Sequence, residues 1–166
     1  EETTKKILQS LCENLRWNLG LFWKLDDKAN NLSCTDIWSK LSGKNTSRKL
    51  FSKQRNLSFS EGIPGAVCST KQPVWIPDVL SDPYFNQNAL AKKYKLRGVF
   101  AFPVFVDEEL LGIFELYSHR IQQTDKNILT IINMLGNHIG QYFMRKHSEK
   151  QLEHFATHDT LTGLFN

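Results

Sequence analysis

The chain has 166 residues, 40% of them hydrophobic and 23% charged, a balance that excludes a disordered chain and supplies the core of one domain. Lysine and arginine exceed aspartate and glutamate by 21 to 17, a net charge of +4 without the one-sided clustering that nucleic-acid binding requires. Three scattered cysteines (Cys12, Cys34 and Cys68) exclude a disulfide framework or a zinc site and point to a reducing cytoplasm, while the longest apolar stretch, Val99 to Val106, is far too short to cross a bilayer.

In chain order, Ile7, Leu8, Leu11 and Leu15 recur at helical spacing and predict an amphipathic helix from Thr3 to Trp17. Gly20 to Leu25 and Leu32 to Trp38 read as two strands of an antiparallel hairpin around the polar turn Asp26 to Asn31. A short helix is expected over Ser47 to Gln54. A second opens at Ser60-Glu61-Gly62-Ile63-Pro64-Gly65, with Ser60 as the capping residue and Pro64 in the first turn. Val74-Trp75-Ile76 is a brief strand and Asp78 to Asp82 a loop. Phe85 to Lys95 is a helix with Leu90, Ala91 and Tyr94 inward.

Gly98 to Val106 and Leu110 to Ser118 are strong strands joined by Asp107-Glu108-Glu109. Their nearly continuous hydrophobicity means that both faces of the sheet are covered. From Gln123 a long helix carries Ile128, Ile132, Leu135, Ile139 and Phe143 at intervals of three to four residues, a stripe suited to a sheet or to a partner helix. Gly136 and Gly140 cost this helix some propensity, and their spacing permits close approach. The basic runs Lys92 to Arg97 and Arg145 to His147 sit beside apolar periodic segments and read as solvated helix faces. The elements sum to an α+β fold, an antiparallel sheet sandwiched between the terminal helices on one face and small helices on the other.

The ordered set Ser58-Phe59-Ser60-Glu61-Gly62-Ile63-Pro64-Gly65, Pro73-Val74-Trp75-Ile76-Pro77-Asp78-Val79, Asp82-Pro83-Tyr84-Phe85, Phe100-Ala101-Phe102-Pro103-Val104 and Leu111 to Ser118 resembles GAF domains of bacterial signalling proteins. The resemblance covers Thr3 to Arg145. His158-Asp159-Thr160-Leu161-Thr162-Gly163-Leu164-Phe165-Asn166 is similar to the opening of a GGDEF (diguanylate cyclase) domain. The implied layout is a GAF sensor over 1–145, a helical signalling linker over 146–157 and the start of a GGDEF domain over 158–166. The chain opens without a Met and already inside a helical pattern, which reads as a piece of a longer protein. The cyclase's own signature loop and metal-binding acids lie outside these residues, so no catalytic residue and no metal site is expected here, and cyclase activity is implied for the parent alone.

Domains of this family often hold a small molecule between the sheet and the small helices. A tight turn after Val106 would set Phe100 opposite Glu115 and Phe102 opposite Ile113, so that Phe100, Phe102, Glu115 and Tyr117 share a face. Glu115 stands in the apolar run Leu110 to Tyr117. Burial without a partner would cost several kcal/mol or raise its pKa, so it meets either an internal partner, such as Arg97 or Arg120, or a ligand. Asp78 either caps the turn that follows it or faces the pocket mouth. With Trp75 and Phe85 these residues form the candidate pocket for an unidentified small molecule. No cofactor is expected: Cys68 precedes Ser69 rather than a His, as bilin attachment would need, and His119 and His138 read as surface residues rather than haem ligands. The cyclic-nucleotide pattern of related domains is missing.

The expected function is regulatory. A homodimer through the terminal helices, with the stripe Ile128, Ile132, Leu135, Ile139 and Phe143 at its interface, would control the linked cyclase, with no nucleic-acid or membrane contact. The alternatives are a ligand-free dimerisation scaffold and a GAF-type methionine sulfoxide reductase, which would need an activated thiolate and a resolving cysteine.

Overall fold

The computed structural model describes residues 2–26, 30–40, 56–85 and 89–157. The helix expected over Ser47 to Gln54, the middle of the first hairpin turn and the cyclase-like segment from His158 lie outside the described residues. The described elements run α1 (Glu2–Leu15), β1 (Leu19–Asp26), β2 (Asn31–Ser39), β3 (Asn56–Ser58), α2 (Gly62–Thr70), β4 (Val74–Ile76), α3 (Ala89–Tyr94), β5 (Gly98–Val106), β6 (Glu109–Ser118) and α4 (Lys126–Thr157). The strands form one antiparallel sheet in the order β3-β2-β1-β6-β5-β4. Sequence patterning misses β3, which has three residues and a single apolar side chain, Leu57.

Helical layers cover both faces, as expected for this α+β sandwich. On one face α1 lies over β1 and β2 and α4 along β5, burying Leu8, Cys12, Phe22, Phe100, Phe102, Val104, Phe114 and Leu116. On the other, α2 and α3 cover Leu21, Trp23, Val99, Ala101, Ile113 and Tyr117. α1 and α3 close on left-handed cationic residues, Arg16 (φ 59°) and Lys95 (φ 53°). In each, the next N–H reaches back five residues, Trp17 to the Cys12 carbonyl (2.8 Å) and Leu96 to the Ala91 carbonyl (2.9 Å). The positive side chains also suit the negative end of the helix dipole.

At the start of α2 the expected cap is corrected. The residue flanking the helix is Glu61, no side chain caps it, and Ser60 lies one residue further out. Asp125 does cap α4, its Oδ1 accepting from the N–H groups of Asn127 (2.8 Å) and Ile128 (3.3 Å).

The hairpin β5–β6 carries the largest departure from expectation. Val106 pairs with Glu109 and Phe105 with Leu110, so the turn is Asp107-Glu108 alone. The register then slips between Val104 and Phe105, and Val104 pairs with Gly112. Leu111 is thus an extra, bulged residue. Beyond it every pair moves by one: Phe100 faces Leu116, Phe102 faces Phe114, and Ala101 faces Glu115. A one-residue slip exchanges the two faces of a strand. Phe100 and Phe102 therefore lie on the terminal-helix face, opposite Glu115 and Tyr117, and the expected shared face is corrected.

The α4 stripe is corrected as well. Ile132 and Ile139 are buried in the terminal-helix core, with Ile128 and Phe143 packed beside them. Ile132 and Ile139 thus belong to the domain's own core, Ile128 and Phe143 pack partly against it, and Leu135 sits at the margin. Gly136 and Gly140 allow the seating: a Cβ on Gly136 would stand 2.5 Å from the Pro103 carbonyl oxygen, and one on Gly140 only 1.7 Å from that of Phe105. The outward side of α4 instead exposes Ile131 (54%) and Met134 (62%).

Candidate functional site

The seven candidate pocket residues separate into two groups. Trp75, Phe100 and Phe102 join a continuous aromatic stack on the terminal-helix face. The Trp75 ring stands edge-on to Trp17 (centroids 5.8 Å apart) and against Phe100 (4.5 Å), and Phe102 bridges Phe100 to Phe114 (5.5 and 5.4 Å). The Trp75 Nε1–H donates to the Gln122 carbonyl (2.9 Å), which satisfies its polar edge. These three residues are core.

Phe85, Glu115 and Tyr117 lie on the other face, where α2 and α3 sit, and Asp78 stands in the turn that follows β4. Glu115 is at its floor, 2% exposed, on the central strand β6. Antiparallel pairing sets Leu21 of β1 directly opposite Glu115 and brings Trp23 to the diagonal position. Trp23 Nε1–H then donates to Glu115 Oε2 (2.8 Å), and the Tyr117 hydroxyl donates to Oε1 (2.8 Å). The carboxyl group's partners are thus Trp23 and Tyr117, and neither Arg97 nor Arg120. Burial pushes the Glu115 pKa up to about 7, against the lowering pull of the Tyr117 and Trp23 hydrogen bonds.

Trp23 is the residue that sequence reasoning missed. A tryptophan on a central strand needs a partner for its N–H when buried, and the isolated carboxylate of Glu115 was the matching signal.

Asp78 caps its turn as the simpler reading expects: Oδ1 accepts from the Leu80 N–H (3.3 Å) and Oδ2 from the Ser81 hydroxyl (2.9 Å). It also holds Arg97, whose Nε donates to Oδ1 (2.7 Å) and whose Nη2 closes the fork on Oδ2. The Arg97 hydrogen bond, with help from Ser81, lowers the Asp78 pKa to about 2. This fork ties the β4 exit to the entry of β5, where the Val79 N–H also donates to the Arg97 carbonyl (2.7 Å).

An aspartate with a depressed folded pKa contributes stability that is present above its unfolded value of 3.8 and lost as pH falls toward 2. The Arg97 side chain is 38% exposed, so the pair is worth about 1 kcal/mol or less after solvent screening. Asp78→Asn is expected to lower unfolding free energy by about that amount at pH 7 and by much less at pH 2, as urea titrations at the two pH values would show. An equal loss at both would remove the ion pair as the cause.

The cysteines do not assemble a thiol centre. Cys12 is buried under α1, and burial, with Glu13 adding to it, pushes its thiol up to about 12. Cys34 and Cys68 are partly buried at the edge of the small-helix core. His119 and His138 are exposed. Among the described residues no group of three metal-binding side chains converges, and no helix is long and apolar enough to cross a membrane.

Known structures share this arrangement. The GAF domain of a phosphoenolpyruvate-protein phosphotransferase from Coxiella burnetii superposes with a TM-score of 0.70 at 17% identity, over 89% of this chain and 83% of that one. The free methionine-R-sulfoxide reductase of Neisseria meningitidis gives 0.68 at 17% identity, over 87% and 78%. The nlh2 GAF domain of A. aeolicus, in an inactive state, gives 0.66 at 22% identity, over 87% and 85%. At such identities the likeness speaks for the fold. The family model for the GAF domain matches residues 1–144, and the chain belongs to the GAF domain family.

Proposed function

We propose that this GAF domain is a cytoplasmic regulatory module that, as a homodimer, controls a diguanylate cyclase domain following it in the same polypeptide, and that it has no catalytic activity of its own. The observation that supports this is the course of α4. Its first half is seated on the sheet through Ile132, Ile139 and the two glycines, and the same helix runs on to Thr157, directly before the cyclase-like residues 158–166. A change in how the sheet holds the helix is therefore passed along a rigid rod. Couplings of this kind amount to about 1–3 kcal/mol.

The small-helix face, with Phe85, Glu115 and Tyr117 and with Asp78 in the turn after β4, is where a small molecule would act, because β5, on which α4 is seated, turns Val99 and Ala101 to that face. A ligand shifts the output only if it binds two arrangements of those strands with different affinity. A scaffold without ligand would use the same helix but leave that face silent. The sulfoxide reductase reading draws least support, since the Cys12 thiol is held protonated.

The dimer contact belongs to the outward side of the terminal helices, where Ile131 and Leu135 lie beside Leu11 and Leu15 of α1 along an open apolar groove and Met134 is exposed on the same helix. The test uses the natural polypeptide that contains these residues. The wild type is expected to sediment as a dimer and to form cyclic-di-GMP from GTP. Ile131→Glu/Met134→Glu, which alters two exposed side chains, is expected to sediment as a monomer with product formation at least tenfold lower. A variant that stays dimeric and fully active overturns the proposal, as does a wild type that makes no cyclic-di-GMP.

A further inference from the structure

The hairpin bulge has a second result on the opposite face of the sheet from Glu115. It turns Leu111 and Gly112 toward the terminal helices together. Gly112 has no side chain, and the Phe22 ring occupies the space, coming within 2.5 Å of where a Cβ would stand. Phe143 packs on Phe22 (centroids 5.8 Å apart). Leu111, Phe22 and Phe143, with the half-exposed Met144, thereby supply the apolar lining of a cavity of about 310 Å³ between the first turn of α1, the sheet and α4.

The rim is cationic. Lys24 follows Phe22 by two residues on β1 and so leaves the sheet on the same face, while Lys146, His147 and Lys150 come from α4. Among the described residues that line the cavity, none is a carboxylate. Glu149 stands beside it and pairs with Lys146 (2.6 Å). Three lysines over an aromatic floor complement an anion carried on an apolar body. The volume falls at the small end of the roughly 300–1,000 Å³ of small-molecule sites.

We propose that this cavity binds a small amphiphilic anion, a carboxylate or phosphate monoester on a compact aromatic or short alkyl body. The apolar body rests on Phe22, Leu111 and Phe143, and the anionic head meets Lys146 and Lys150. The site is independent of the Glu115 face and of the cyclase assignment. Its place gives it a consequence, because the lining residues come from α1, β1, β6 and the stretch of α4 leaving the sheet. An occupant pins that stretch to the domain.

The bland explanation of the same lysines is that their stems shield the apolar floor while their charges stay in water. The experiment separates the two. The 166-residue chain, labelled with ¹⁵N, is titrated with 2-naphthyl phosphate at low salt, and in parallel with 2-naphthol and with inorganic phosphate. The expected shifts centre on Thr3, Thr4, Lys24, Leu111, Gly112 and the amides from Phe143 to Lys150.

Dissociation constants at least tenfold weaker are expected for both partial probes, for Lys146→Gln/Lys150→Gln, and for Leu111→Glu. Glu149→Gln, which removes the hydrogen-bonded partner of Lys146 while Glu153 still faces its charge, is expected to tighten binding about twofold. Naphthol binding as well as its phosphate would mean a merely greasy surface, and inorganic phosphate binding as well would mean surface lysines alone. Either outcome overturns the site, as does an undiminished affinity in the double lysine variant or a shift pattern centred elsewhere. Leu111→Glu leaves every lysine in place and Lys146→Gln/Lys150→Gln leaves the core in place, so loss of folding in one variant does not shelter the proposal.

Discussion

Between pH 4.5 and 7 the wild-type chain is expected to lose up to about 3 kcal/mol of stability that Glu115→Gln keeps. The sign follows from the direction of the shift. A carboxyl group whose folded pKa lies above its unfolded value binds its proton more tightly in the folded state. Its contribution is complete below the unfolded value of 4.5, declines as pH rises toward 7, and is gone above that. The magnitude lies somewhat below the span between those two values at about 1.4 kcal/mol per pH unit, because titration is incomplete at each end of the window, and it is an upper figure for a fully buried group.

Glutamine has the shape of the protonated side chain and no charge to desolvate. Its carbonyl can accept one of the two hydrogen bonds, and the Tyr117 hydroxyl can turn to the amide. Urea unfolding at pH 5 and pH 8 measures the effect as a difference between the two proteins, in which titrations elsewhere in the chain cancel. Parallel curves for both would show that Glu115 does not keep its proton in the folded state. Glu115→Ala behaves differently, leaving the Trp23 N–H buried without its acceptor at about 1–3 kcal/mol, beyond the cavity left behind. That loss is expected at every pH.

The second large effect reverses what helix propensity alone expects. Alanine for glycine in a helix interior ordinarily stabilises by about 1 kcal/mol. At Gly140 the new methyl carbon would start 1.7 Å from the Phe105 carbonyl oxygen, a backbone atom in a paired strand. Either α4 lifts from β5 or the strand edge bends, and strain of this kind in a well-packed interior costs typically 1–3 kcal/mol, occasionally more. With the propensity gain set against the upper part of that range, Gly140→Ala is expected to destabilise by about 2 kcal/mol, a fall of roughly 6 °C in melting temperature for a chain of this size. Gly136→Ala, at 2.5 Å from the Pro103 oxygen, should cost less. Differential scanning calorimetry of the two variants decides it. A melting temperature unchanged or raised in Gly140→Ala would mean that the helix does not rest on β5 so closely.

Trp23 and Glu115 show where legibility stopped at the candidate site. That a carboxylate inside the run Leu110 to Tyr117 must meet a partner followed from solvation alone. The identity of the partner did not, because Trp23 lies 92 positions away and reaches Glu115 only through the pairing of β1 with β6. Strand order is set by how the whole sheet closes, and no local pattern encodes it. Arg97, a candidate for that partnership on charge grounds, is held by Asp78 instead.

The sequence by itself determined the chain's principal strands and both terminal helices, the covering of the sheet on both faces and the family, because these follow from apolar periodicity, turn chemistry and an ordered set of motifs. Only the tertiary structure decided which face each side chain serves. Leu111 as an extra residue in β6 moved Phe100 and Phe102 from the site to the core, and nothing local marks one residue of an apolar run as the one that bulges. Only the tertiary structure, likewise, assigned the α4 stripe to the sheet. A repeat of three to four residues looks the same whether a sheet or a second helix covers it, and the choice fell to two glycines whose missing side chains let β5 come closer than any other helix surface would allow.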